Sequence, residues 1–168
     1  MDPERNERDD DFEAAYLDLF PRAATLAYRL LGSRSAAEDV AAEALARAYA
    51  HWPQVGLLPY RDGWVLRVAT NVAIDALRKR HVVVALPDAA DHSETATLRL
   101  ALVAALRGLP RRQREALVLR YLSGLPHAEV AQSLGVSPSA AKAHVRRGLA
   151  ALRRQLGPNF DQEVFVDG

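Results

Sequence analysis

Apolar residues recur at three- and four-residue steps along nearly the whole chain, and that period points to helices. The one β-branched run, "HVVV" at residues 81–84, is too short and isolated to build a sheet. The spacing predicts an all-α protein. Its 168 residues suit one or two small domains, and an apolar share of 49% is enough for a packed core. There is no cysteine, which excludes disulfides, thiolate metal sites and cysteine nucleophiles and fits a reducing, cytoplasmic setting. No apolar run approaches the roughly 18–20 residues of a membrane span. The opening "MDPERNERDDDFEAAY" lacks the basic-then-apolar order of a signal peptide.

The punctuation of the helices divides the chain. An acidic arm over residues 1–10 precedes a first helix predicted over 11–31, which Pro21 should kink or divide and Gly32 should stop. A second helix starts at Ser35, where Ser35-x-x-Glu38 reads as a capping box, and ends at Pro53. Asp62 can cap a third helix that runs to about Arg80, with Val65, Val68, Ala69, Val72, Ala76 and Leu77 facing its core. Residues 11–81 thus read as one helical bundle. Residues 82–98 are acidic, hold a proline and read as a linker. Residues 99–157 form a second domain, with helices predicted over 98–109, 110–122 and 126–134, a tight turn at Gly135, and a last helix capped by Ser137 with Pro138 at its first position. Short helix, glycine turn, longer helix is the helix-turn-helix pattern. The acidic tail over 158–168 reads as frayed.

A net charge of +1 hides a strong partition. Residues 99–157 carry eleven Lys and Arg against two acids, a net of +9, while the arm, the linker and the tail each stand at −3. A segment so basic seeks a polyanion, and nucleic acid is the common one. On the last helix Ala141, Val145, Gly148, Leu149, Leu152 and Leu156 fall on one side at 100° per residue; Ser139, Lys142, Ala143, Arg146, Arg147, Arg153 and Arg154 fall on the other, with His144 at the border. Such a helix can pack on its apolar side and present cations to a major groove. Arg111, Arg112 and Arg114 open an earlier helix, where positive charge works against the dipole and an anion would relieve it. The five histidines are scattered without metal-ligand spacing, and the glycines read as helix stops rather than a phosphate loop. An enzyme, a metal and a cofactor are not expected.

"LPRRQREALVLRYLSGLPHAEVAQSLGVSPSAAKAHVRRGLAALRRQL" resembles region 4 of the extracytoplasmic-function (ECF) sigma factors of bacterial RNA polymerase. "AAEDVAAEALARAYAHW" and "YRDGWVLRVATNVAIDALRKR" resemble parts of their region 2. The resemblance covers about residues 11–156, and the alanine- and arginine-rich composition fits a high-GC bacterium such as an actinobacterium. It implies a dissociable promoter-specificity subunit whose partners are core RNA polymerase, promoter DNA and, through a flexible linker, an anti-sigma factor or other regulatory protein. By resemblance, Glu38, Asp39, Glu43 and Arg47 lie on the polymerase-binding helix, where Glu38 also suits a helix cap. Tyr60, Arg61, Trp64, Arg67, Asn71, Asp75, Arg78, Lys79 and Arg80 match the part that captures the unwound minus-ten strand. Trp64 also suits the core, and Asn71 and Asp75, one turn apart, suit a structural pair. Arg111, Arg112, Arg114, Ser137, Ser139, Lys142, His144, Arg146 and Arg147 match the part that reads the minus-thirty-five duplex. The chain departs from the family pattern at Ala42, Leu45 and Tyr49, where glutamine, phenylalanine and tryptophan are usual. It departs again at residues 139–143, where Ser-Ala-Ala-Lys-Ala stands for Gly-Thr-Val-Lys-Ser.

Two other readings stay open on the sequence. One is a stand-alone helix-turn-helix regulator of LuxR type that binds duplex DNA alone. The other is a sigma-like interaction module without promoter-directed initiation.

Overall fold

The computed structural model describes residues 3–80 and 94–160, with side chains from Asn6 to Lys79 and from Glu94 onward. Helices α1 (Pro3–Leu31), α2 (Arg34–Ala50), α3 (Trp52–Val55) and α4 (Arg61–Arg80) form the first half. Helices α5 (Glu94–Arg107), α6 (Arg111–Leu117), a π-helical turn (Val118–Leu122), α7 (His127–Leu134) and α8 (Pro138–Leu156) form the second. Among the described residues there is no strand, and the chain is all-α.

Helix α1 starts at Pro3, so residues 3–10 are helical rather than a separate arm. Acids near a helix N-terminus favour its dipole, and here they also have partners. Tyr49 donates its hydroxyl to Asp9 at 2.9 Å, and Trp52 donates Nε1 to Asp11 at 3.1 Å. Nor does Pro21 divide the helix. It lies on the exposed side, and the carbonyl left without its N–H belongs to Leu17, a residue 71% exposed, where water can serve it.

The cap of α2 is Ser33, whose Oγ accepts from the amide of Ala36 at 3.4 Å. The expected Ser35–Glu38 box therefore does not form, and Glu38 lies on the exposed side beyond the first turn. Helix α2 stops at Ala50, and Trp52, 2% exposed, opens α3 and seals the bundle floor against Phe12. Asp62 does not cap α4 either. It sits inside the first turn and accepts from Arg22 at 2.7 Å. That pairing, with Asp18, raises the Arg22 guanidinium pKa despite the opposing effect of burial.

In the second half, residues 94–98 belong to α5 and not to the linker; residues 82–93 of the expected linker lie outside the described residues. Pro110 stands at the N-cap of α6. The π turn is closed by the amide of Ser123 donating to the carbonyl of Val118, and Gly124 then takes a positive φ of 69°. Helix α7 ends on Gly135 at φ +65°, and Ser137 Oγ accepts from the amide of Ala140 at 3.2 Å, so α8 begins at Pro138 as its spacing predicts. Phe160 of the expected tail is 4% exposed and joins the core; residues 161–168 lie outside the described residues.

Helices α1, α2 and α4 form one bundle, and α5 to α8 form another. The two meet along α4, which contacts α6, the π turn and α7. Sequence spacing gives α4 one buried stripe. In fact Leu66, Thr70, Ala73 and Ile74 are buried as well as Val65, Ala69 and Val72, because a second bundle covers the other side.

Helices α6 and α8 pack closely at Gly148. A Cβ there would stand 2.6 Å from Cδ1 of Leu117, which is fully buried. Gly148→Val is expected to lower unfolding free energy by about 1–3 kcal/mol through overpacking, measured by urea melts. A wild-type midpoint would contradict this packing.

Candidate nucleic-acid and polymerase interface

Helix α8 buries Ala141, Val145, Gly148 and Leu152 and leaves Ser139, Lys142, Arg146 and Arg147 exposed. Lys142, Arg146 and Arg147 make no ion pair among the described residues. Lys142 and Arg146 flank a shallow groove that also takes in His127 from α7 and Ser139. Burial, aided by Arg120 and Lys142, holds the His127 imidazole below its ordinary pKa. His144 is half-buried, and its Nδ1 has no partner among the described residues. Ser137 is committed to the cap, 3.1 Å from Ser139 Oγ. Lys142, Arg146 and Arg147 are thus exposed and without a carboxylate partner among the described residues, a surface suited to phosphates and base edges.

The arginines at the start of α6 have a different setting. Glu115, 0% exposed, sits among them. Its Oε1 accepts from Arg111 Nε at 3.0 Å and its Oε2 from Arg112 at 3.4 Å. The same Oε1 accepts from Nδ2 of Asn71 on α4 at 2.8 Å. Arg114 has its Nε buried without a partner among the described residues, and burial lowers its pKa, with Glu115 opposing. Arg67 on α4 donates to the carbonyl of Ser133 on α7 at 2.7 Å; burial lowers its pKa too, again with Glu115 opposing. Arg67 and Asn71, expected to face a DNA strand, therefore face α6 and α7. Asn71 bonds Glu115, whereas Asp75 pairs with Arg78 at 3.5 Å, so the pairing expected between Asn71 and Asp75 gives way to these partners.

At the N-terminal end of α4, Arg61 lies over the Trp52 ring, 5.6 Å from its centroid, and reaches Asp11 at 3.4 Å. Tyr60 is half-buried and its carbonyl accepts the amide of Trp64. Trp64 is partly buried against the core, edge-on to His51. At the other end Asp75, Arg78 and Lys79 are exposed, and the Arg80 side chain lies outside the described residues.

The outer face of α2 exposes Glu38, Asp39, Glu43 and Arg47, with Ala42 and Ala46 between them. Arg47 pairs with Glu43. Small residues between charges leave a smooth face that another helix can approach closely. Of the departures from the family pattern, Leu45 is fully buried, Ala42 is exposed, and Tyr49 packs on Phe12 at 4.8 Å between centroids.

Sequence reasoning missed Asp9, Asp11, His127 and Glu115. Only Glu115 left a signal: an acid in a basic segment, one turn after Arg111 and Arg112 and one turn before the apolar Val118 and Leu119.

Two family models match the chain, Sigma-70 region 2 over residues 15–82 and Sigma-70 region 4 over residues 99–152. The RNA polymerase sigma factor CarQ of Myxococcus xanthus is 31% identical over 94% of this chain and 95% of its own length. The chain belongs to the sigma-70 family. The ECF sigma factor SigW of Bacillus subtilis is 29% identical over 88% of this chain and 90% of its own. Among solved structures, the sigma factor RpoE in complex with the anti-sigma factor NepR from Bartonella quintana aligns with a TM-score of 0.55 and 26% identity over 87% of this chain and 96% of that one. CnrH in complex with the cytosolic domain of CnrY, at 24% identity and a TM-score of 0.58 over 86% of each chain, shares the fold. This ECF sigma factor confers promoter recognition on bacterial RNA polymerase. Among the described residues of the sigma factor no helix is long and apolar enough to cross a membrane, and no cluster of His, Cys, Asp or Glu could hold a metal.

Stripping a buried carboxylate of its partners costs more than removing the carboxylate. Arg111 and Arg112, with side chains 69% and 48% exposed, can be hydrated without Glu115; Glu115 cannot be hydrated without them. Arg111→Ala/Arg112→Ala is therefore expected to destabilise the sigma factor by about 3 kcal/mol, and Glu115→Leu by less. Equal losses in denaturant titrations would contradict the assignment.

Proposed function

We propose that the sigma factor divides promoter recognition between α8 and α4 and uses α2 for docking on core RNA polymerase. Lys142, His144, Arg146 and Arg147 on α8, with Ser139 and the capping Ser137, read and grip the minus-thirty-five duplex. Arg111, Arg112 and Arg114 add phosphate contacts. On α4 and the turn before it, Arg67, Asn71, Asp75, Arg78, Lys79 and Arg80 bind the unwound minus-ten strand, while Tyr60, Arg61 and Trp64 supply rings and a guanidinium on which an unstacked base can rest. Glu38, Asp39, Glu43 and Arg47 meet the polymerase. The action is by binding and not by catalysis. RpoE was solved with an anti-sigma factor, and a protein regulator of that kind is a further partner of this chain.

The observation that carries this reading is the exposure of Lys142, Arg146 and Arg147 on α8, with no ion pair among the described residues, while the opposite side of the helix is buried. A stand-alone regulator would also present such a helix. It would not need the first bundle, which matches region 2.

The direct test is transcription in vitro with core polymerase on genomic DNA, mapping start sites that depend on this chain. Lys142→Ala/Arg146→Ala is expected to weaken duplex binding about 10- to 100-fold and to reduce the slope of log affinity against log salt by roughly two. Co-purification with polymerase should be unchanged. Start sites and salt slope identical to wild type would reject the role of α8.

A further inference from the structure

Asp11 of α1 has two partners, one on each carboxylate oxygen. Its Oδ2 accepts from Nε1 of Trp52 at 3.1 Å, and its Oδ1 accepts from Nη1 of Arg61 at 3.4 Å. The same Nη1 donates to the carbonyl of Gly56 at 3.4 Å, and the guanidinium carbon lies 5.6 Å from the centroid of the Trp52 ring. Gly56 approaches that indole closely. A Cβ on it would stand 2.9 Å from Cε2 and 3.0 Å from Nε1 of Trp52. Residues from α1, from the turn after α3 and from the start of α4 thus converge on one indole that is itself 2% exposed.

The common reasons for an acid do not account for Asp11. It stands more than two turns into α1, whereas the helix dipole acts mainly within the first turn. An indole N–H needs only an acceptor, and an amide oxygen supplies one. The negative charge finds its reason in Arg61, the cation that shares the carboxylate.

Holding Arg61 changes what it offers to a nucleic acid. A guanidinium on a free stem turns to phosphates, which every strand carries. At Arg61 a carboxylate, a carbonyl and a ring hold the group in one place, and the carboxylate weakens its pull on a second anion. The side chain is still 35% exposed. Trp52 is too buried to take a base, so the part of this stack open to a ligand is the guanidinium plane, on which an unstacked base can lie.

We propose that Asp11 is a positioning residue for strand capture: it holds Arg61 on Trp52, so that Arg61 supports one unstacked base and does not grip a phosphate. This rests on the reading of Tyr60, Arg61 and Trp64 as the base-bearing part of the first bundle.

Holoenzyme assembled from core polymerase and this chain is titrated with a fluorescent single-stranded oligonucleotide carrying the minus-ten segment of a promoter mapped for it. A matched set has each base in turn made abasic. In the wild type at least one abasic position should cost about tenfold in affinity. Arg61→Ala should erase the penalty at one such position and leave the slope of log affinity against log salt unchanged. Asp11→Asn keeps an acceptor for Trp52 and releases Arg61. The penalty at that position should shrink, and the slope should steepen by about 0.7, the worth of one phosphate contact on a single strand. Adding Arg61→Ala to Asp11→Asn should return the slope to wild type. If Asp11→Asn changes neither penalty nor slope, the positioning role is overturned and the base-bearing reading stands. A slope that becomes shallower by about 0.7 in Arg61→Ala alone also overturns it, because Arg61 then grips a phosphate already; this readout holds even if Asp11→Asn does not fold. If no abasic position costs affinity in the wild type, the base-bearing reading fails and the proposal falls with it.

Discussion

A helix buried on two sides has to be covered by two neighbours, and α4 is that helix. Val65, Ala69 and Val72 need α1 and α2; Leu66, Thr70 and Ile74 are buried as well, and Gly63 needs α7. Burial of apolar side chains is the dominant favourable contribution to folding, so a central helix of this composition fixes what lies on either side of it. The polar stripe of α4 then selects one docking. Arg67 and Asn71 each have a single well-directed partner across the seam, and displacement along the helix would leave Glu115 buried without its amide donor.

The electrostatics follow from that arrangement. The second bundle is strongly basic, but its cations fall into two groups. Those of α6 surround Glu115 and are partly neutralised within the chain, which answers the question of why three arginines stand at a helix N-terminus against its dipole. On α8, Lys142, Arg146 and Arg147 are exposed and have no carboxylate to answer them among the described residues. The first group therefore holds Glu115 as well as offering phosphate contacts on the proposed reading, whereas Lys142, Arg146 and Arg147 have no such internal task. The acidic start of α1 shows the same economy in reverse, with Asp9 and Asp11 held by Tyr49, Trp52 and Arg61.

Local signals in the sequence were legible where they act locally. Ser137, Pro138 and Gly135 mark the boundaries of α7 and α8 because caps and left-handed glycines depend on neighbours a few residues away. The cationic and apolar faces of α8 were legible for the same reason. What depends on distant residues was not. One local signal also failed, because Ser35-x-x-Glu38 has the letters of a capping box, yet the neighbouring Ser33 takes the cap and begins the helix one residue before Ser35. The helical start of α1 depends on partners some forty residues away, and the second buried side of α4 depends on another bundle. The roles expected of Arg67 and Asn71 came from resemblance, which says what a residue meets in a working complex and not what it meets when the chain closes on itself.

Division of labour is the proposal at the centre: one bundle for the melted strand and the polymerase, the other for duplex. The most direct measurement is permanganate reactivity of unpaired thymines at a promoter mapped for this sigma factor, with core polymerase and sigma added separately and together. The account predicts reactive thymines in the minus-ten segment only when both are present. Protection of the upstream duplex by the sigma factor and polymerase together, with no thymine becoming reactive, would contradict it.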